Sequence, residues 1–280
     1  MNNFGFKIID DIKIEKEVFE LIDYSNKNKL PMELAIYKED KEMYERIIEK
    51  SQYLNTIHLS KNSKLYIAHK TFDQHKHIIF EEIKRGVSYG VYRFVLHPND
   101  YNFNLSNTHY KDKIISLLIE RLTEVNEFVN KLNSNKKVEI YIENMFDPIE
   151  LFKELFKEID NIKLDNINFC FDIGHAKVWS GTNLEEWIEF LDILKNKYNK
   201  KFHFHIHFNL GLGDQHLSFE EAVEQGMEDK DEYFSSSKKI TDAIRNDLID
   251  VYKDDTLVME QNPKYQINGY EMMKNKKSVI

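Results

Sequence analysis

Short apolar runs of four to seven residues alternate with longer amphipathic segments along the whole chain, and this alternation limits the fold more than any other feature. Strand-like runs cover 6–9, 33–37, 56–59, 91–96, 138–142, 167–172, 202–208 and 256–260. Helix-like segments at 15–24, 41–51, 73–85, 111–132, 148–159, 184–198 and 236–252 separate them. In 111–132 the residues Ile114, Ile115, Leu117, Leu118, Leu122, Val125 and Val129 recur at the spacing of a helix with one buried face. Pro148 after Asp147, and Asn183 before Glu185 and Glu186, mark two helix starts. Strict strand–helix alternation with right-handed crossovers gives either an open doubly wound sheet or a closed barrel. Eight strand candidates favour the barrel. No dinucleotide glycine fingerprint and no GxxxxGK(S/T) phosphate loop follows the first strand, so the open sheet lacks its usual support. The expected fold is therefore α/β, a (β/α)8 barrel, with residues 1–280 as a single domain. The acidic, then serine-rich segment 224–237 reads as a loop excursion over the barrel mouth, with a plain solvated loop as the alternative.

Composition narrows the classes of function. Net charge is −9, opposite in sign to the basic footprint of a protein that clamps a nucleic-acid backbone. Nucleic acid is thereby disfavoured as a partner, and a small-molecule or phosphorylated substrate is preferred. The single cysteine, Cys170, lies in an apolar run and reads as a packing residue, so a reducing compartment fits best. Residues 1–17 carry acidic groups where a secretory leader needs an apolar run, and no stretch approaches the roughly 18 apolar residues of a membrane span. The cytoplasm and the absence of a membrane partner are the resulting expectations; the oligomeric state is left open.

The segment KFHFHIHFNLGLGDQHL, residues 201–217, carries the strongest chemical signal. Phe202, Phe204, Ile206 and Phe208 alternate with His203, His205 and His207, so one strand face is apolar and the other is lined by imidazoles. Asp214 and His216 follow a glycine-spaced turn. Nitrogen and oxygen donors gathered at one strand end suit zinc, manganese or iron; a solvent-facing run on an edge strand is the bland alternative.

In an eightfold barrel, side chains from different strands converge at the strands' C-terminal ends. His58 lies at the end of the third strand candidate and His97 ends the fourth. Glu143 ends the fifth, and Asp172 ends the sixth with His175 three residues on. His205 lies late in the seventh, ahead of Asp214 and His216, and Glu260 ends the eighth. Each residue alone has an ordinary reading: a hydrogen-bonded histidine for His58 or His97, a capping or salt-bridged carboxylate for Glu143 or Glu260. Polar groups placed in succession at core-facing strand ends are costly without a partner, and together they call for a shared ligand. His69, His75, His77 and His109 fall in helices or loops and are assigned to surface or packing.

These residues, with the fragments IEN, FDIGHA, HIHFN, DQH and VLHP, resemble the strand-end motifs of the xylose isomerase-like TIM barrels, which include endonuclease IV and sugar-phosphate isomerases and epimerases. The resemblance spans residues 56 to 260. By the endonuclease IV arrangement it implies that His58, His97 and Glu143 hold one metal. Glu143 bridges to a second, completed by Asp172, His205 and Glu260, and His175, Asp214 and His216 hold a third. The isomerase branch keeps only Glu143, Asp172, His205 and Glu260 around one metal. The family segment H-x-H-D-N-x-G-x-x-D-x-H aligns with His205, His207 and Asn209, which selects His205 as the ligand; Phe208 stands where the family usually has Asp. A glycine-rich stretch after the D-x-H is replaced by SFEEAVEQG, and the loops that penetrate DNA cannot be traced.

The resemblance implies two chemistries. With two or three divalent ions, zinc foremost and manganese or iron as alternatives, the site is a phosphoesterase in which Glu143 and Glu260 are catalytic and also ligate metal. With one ion it is a sugar isomerase or epimerase, in which Glu143 and Glu260 transfer protons across the barrel mouth from each other. Nine ligand-type positions favour hydrolysis. An iron oxygenase and a non-catalytic metal-binding protein are the lesser alternatives.

Overall fold

The computed structural model describes residues 3–99, 108–145, 147–177, 184–209, 214–218, 221, 252 and 254–274. Eight parallel strands close into a barrel in chain order: β1 Phe4–Ile9, β2 Met32–Ala35, β3 Leu54–His58, β4 Arg93–Leu96, β5 Glu139–Glu143, β6 Ile167–Asp172, β7 Phe202–Ile206 and β8 Thr256–Met259. The ring shuts where Phe4, Gly5 and Phe6 of β1 pair with Leu257, Val258 and Met259 of β8. The (β/α)8 expectation is met, and β7 lies between β6 and β8 rather than at an edge, which removes the solvent-facing reading of its histidines. The excursion expected at 224–237 lies outside the described residues, as does the helix expected over 236–252 apart from Tyr252.

Strand periodicity sorts side chains between two cores. Phe169 and Phe171 of β6 and Phe202, Phe204 and Ile206 of β7 turn outward and belong to the large apolar cluster with the helices. The helix Ile149–Asn161 meets them with Leu151, Phe152, Leu155, Phe156 and Ile159, all fully buried on one helical stripe. Inside the barrel, Val95, Tyr141 and Cys170 form a separate apolar cluster. Cys170 is therefore the buried packing residue its neighbours suggested. Nearer the strand N-termini, Arg93 Nη1 donates to Thr256 Oγ1 (2.7 Å) and Tyr141 Oη to Glu139 Oε2 (2.8 Å). The C-terminal end of the interior is where carboxylates and imidazoles collect.

Two strands stop two residues before their apolar runs do. β2 ends at Ala35 because Asp10 at the end of β1 accepts the backbone N–H groups of Tyr37 (2.6 Å), Lys38 (2.7 Å) and Asp40 (3.1 Å), turning the chain across the mouth. β7 ends at Ile206 because Phe208 pairs antiparallel with Leu217, which brings 214–217 back over the barrel. Asp147 does not cap the helix that follows Pro148; its carboxylate accepts from Asn99 Nδ2 (2.6 Å).

Candidate metal centre

Glu143, the last residue of β5, is the hub. Its Oε2 lies 2.9 Å from His58 Nε2 and 3.0 Å from His97 Nε2, and its Oε1 faces His175 Nδ1 (3.2 Å) and His205 Nδ1 (3.4 Å). His58 ends β3, His97 follows β4, and all of these groups are buried. The other His58 nitrogen, Nδ1, faces the Leu59 carbonyl at 3.0 Å. Burial, with the nearby Lys7 ammonium, pushes the His58 imidazole down to about 3, so the ring is neutral and has one proton for two acceptors. Two electron-rich atoms then face each other at close range, which suits a cation shared between them.

A second group gathers Glu143, Asp172, His205 and Glu260, whose ligand atoms all lie within 4.8 Å of one another. His205 Nδ1 is 2.8 Å from Glu260 Oε2 and 3.7 Å from Asp172 Oδ2. Glu143 Oε1, His205 Nδ1 and Glu260 Oε2 are buried and make no hydrogen bond. Close neighbours that decline to hydrogen-bond one another have their lone pairs turned to a common point, and the donor set of three carboxylates and one imidazole fits a divalent ion. Burial raises these carboxyl groups, but their neighbours overcome it and hold all three well below the usual carboxylate range: His205 and His97 for Glu143, His175 and His207 for Asp172, Lys61 and Lys7 for Glu260. Glu143 ends β5 and Glu260 follows β8, strands across the barrel from each other as expected, and their carboxylates meet in this one cluster.

The third group is His175, His207, Asp214 and His216. His175 follows β6 on the short helix Ile173–Lys177, its Nε2 3.3 Å from Asp214 Oδ2. His216 Nε2 is 2.7 Å from the same oxygen, and its Nδ1 is 3.2 Å from Glu260 Oε1. His207 joins this set, which the alignment with His205 did not anticipate: its Nε2 meets Asp172 Oδ1 at 2.8 Å and its ring stacks on His216 at 4.3 Å between centroids. The structure thus brings all nine sequence-selected residues to one end of the barrel. The His69 and His75 rings lie against Thr71, in keeping with a packing role, and the side chain of His109 lies outside the described residues.

Three charged residues escaped the sequence reading. Lys7 in β1 and Glu33 in β2 are buried and 3.1 Å apart, and Lys7 Nζ also reaches Glu260 Oε1 at 2.7 Å. Lys61 reaches the same oxygen at 2.9 Å from the mouth side. The available signal was the interruption of apolar runs, FGFKII and PMELAIY, by one charge each, since a lysine and a glutamate buried in adjacent strands require each other. Above the cluster opens a cavity of about 920 Å³ lined by Tyr37, Lys61, Tyr66, Met145, Gln215 and Glu260 among others. Among the described residues no helix is long and apolar enough to cross a membrane.

Solved structures with this fold carry different activities in their names. The chain is similar to a D-tagatose 3-epimerase-like protein (TM-score 0.66, 19% identity, covering 98% of this chain and 96% of that one). It is also similar to 3-keto-D-glucoside 4-epimerase from E. coli (0.61, 11%, 98% and 100%) and to endonuclease IV from Thermus thermophilus (0.57, 14%, 98% and 99%). At these identities the likeness establishes the fold alone. No curated protein matches the chain. The model of the family described as xylose isomerase-like TIM barrel matches residues 17–240, and the chain belongs to that family.

Proposed function

We propose that the protein is a metal-dependent enzyme whose ligands are His58, His97, Glu143, Asp172, His175, His205, Asp214, His216 and Glu260, and that it hydrolyses a phosphoester of a small substrate. The observation that carries this reading is the convergence of buried imidazole and carboxylate atoms at one end of the barrel, among which Glu143 Oε1, His205 Nδ1 and Glu260 Oε2 make no hydrogen bond, with His58 set between two acceptors. Bound there, two or three divalent ions, zinc foremost and manganese or iron as alternatives, supply Lewis acidity and charge neutralisation toward a phosphoryl group.

Charge balance links the number of ions to the charge of the substrate. Glu33, Glu143, Asp172, Asp214 and Glu260 face Lys7 and Lys61, which leaves three negative charges if the histidines are neutral. One divalent ion leaves the site slightly negative, a setting for a neutral sugar. Two or three make it positive and favour an anionic substrate. Lys61, whose side chain is 17% exposed, is the residue placed to meet that anion, by exchanging Glu260 for a substrate oxygen. Tyr66 braces it by donating to the Lys61 carbonyl (3.2 Å). The chain's net charge of −9 disfavours duplex nucleic acid.

The second reading, a sugar isomerase or epimerase, is favoured by the completeness of Glu143, Asp172, His205 and Glu260 as a one-ion donor set. Elemental analysis of untagged protein, followed by assays on a phosphoester panel and on ketoses in deuterated water, tests both. Two or three ions per chain with phosphate release is the expected result. One ion with exchange next to the carbonyl would transfer the assignment to the second reading.

A further inference from the structure

We propose that Glu33, on a strand that supplies none of the nine ligands, is the positioning residue that aims His205. His205 Nε2 and Glu33 Oε2 are hydrogen-bonded at 3.1 Å. A carboxylate there only accepts, so once a cation takes the place of the Nδ1 proton the remaining imidazole proton sits on Nε2, leaving Nδ1 facing Glu260 Oε2 (2.8 Å) and Glu143 Oε1 (3.4 Å). Without that acceptor the neutral ring is free to take the other tautomer, which points its proton into the donor set.

Glu33 is itself held on two sides. His203 Nε2 lies 2.5 Å from its Oε2 and Lys7 Nζ 3.1 Å from its Oε1. Lys7 continues to Glu260 Oε1 at 2.7 Å, so the contacts form a closed circuit from His205 through Glu33, Lys7 and Glu260 back to His205. β7, β8, β1 and β2 are consecutive in the barrel, so the circuit locks one half of its interior. Glu33, His203 and His205 are fully buried and Lys7 is 3% exposed, which leaves no solvent to replace a lost partner. A carboxylate on the far nitrogen of a ligating imidazole fixes the ring and raises its basicity, and its loss typically weakens metal affinity by about 10- to 100-fold.

The assignment rests on the metal reading above, and the experiment separates the two. Zn2+ titration calorimetry on the full chain compares wild type, Glu33→Gln and Asp172→Asn, and 15N NMR of histidine-labelled, Zn2+-loaded wild type reads the His205 tautomer, assigned with His205→Gln. The expected result is a proton on Nε2 of His205 and an affinity roughly 10- to 100-fold weaker in Glu33→Gln. Full affinity in Glu33→Gln with a loss in Asp172→Asn overturns the role of Glu33 alone. Unchanged affinity in both variants overturns the metal reading with it. Should Glu33→Gln not fold, the wild-type tautomer decides: a proton on Nδ1 overturns the proposal.

Discussion

Gly174 tests the geometry of the third donor group without replacing any of its side chains. It lies in the helix Ile173–Lys177 directly after β6, against the His207 ring. A Cβ at this position would come within 2.2 Å of His207 Cε1 and 2.5 Å of both ring nitrogens. Ordinary contact needs about 3.5 Å, so the ring would have to withdraw by roughly 1 Å. It has nowhere to go: its plane is within 5° of His216, 4.3 Å away, and its Nε2 is tied to Asp172 at 2.8 Å. Overpacking costs about 1–3 kcal/mol and the lost hydrogen bond to a charged group about 1.5–3 kcal/mol. Against these, replacing a helical glycine with alanine gains at most ~1 kcal/mol. The clash wins, and Gly174→Ala is expected to destabilise by about 2–5 kcal/mol, or roughly 10 °C in Tm for a chain of this size.

The sign should reverse once the ring is gone. In a His207→Ala background the same Gly174→Ala change meets no obstacle and should be neutral or stabilising by up to ~1 kcal/mol. Urea denaturation of wild type, both single variants and the double variant closes the cycle, with an expected coupling of about 2–5 kcal/mol. If Gly174→Ala costs the same in both backgrounds, the packing of His207 between residue 174 and His216 is not the cause, and the placement of His207 in the third group falls with it.

Further perturbations probe other parts of the structure. Burial pushes Glu82 up to about 7, against which the Ser60 backbone N–H (3.1 Å) helps little. The folded state thus binds this proton more tightly than the unfolded chain, and the stability gained is complete below about pH 4.5 and lost as pH rises through 7. Glu82→Gln should therefore gain about 3 kcal/mol on wild type between pH 4.5 and 8 in urea denaturation, and parallel pH profiles would refute this. Asp10→Asn keeps Oδ1 as acceptor for the Tyr37 and Lys38 N–H groups and turns an amide donor toward the Asp40 N–H; a loss of about 1–3 kcal/mol is expected in the same assay. Chelation of a metal-loaded sample should lower Tm and re-addition of Zn2+ or Mn2+ restore it, by about 4 kcal/mol for a site at a thousandfold excess over Kd. A Tm indifferent to both would count against the donor set as a metal site.

The ligand-type residues were legible because they obey two periodicities at once. Outward Phe169 and Phe171, or Phe202 and Phe204, announce a strand buried on its helix-facing side, and the strand's last inward position is then forced to the barrel rim, where Asp172 and His205 stand. That logic stops where the chain leaves the regular pattern. The apolar run 33–37 extends past the end of β2 because hydrophobicity does not register the carboxylate of Asp10, which diverts Tyr37 and Lys38 from strand pairing. The helix Pro263–Lys274 carries little apolar periodicity and is packed instead through single residues: Tyr270 on Phe4, Gln266 on the Lys7 carbonyl, and Gly269 where a Cβ would strike Met259 at 2.6 Å. Lys7 and Glu33 were hidden for a different reason. Each looks like a lone charge in a strand, and only ring closure, which sets β1 between β8 and β2, reveals that the lysine bridges the Glu33 and Glu260 carboxylates. Strand-end chemistry can be read locally, whereas the charge that balances it from the middle of a neighbouring strand becomes visible only once the barrel is closed.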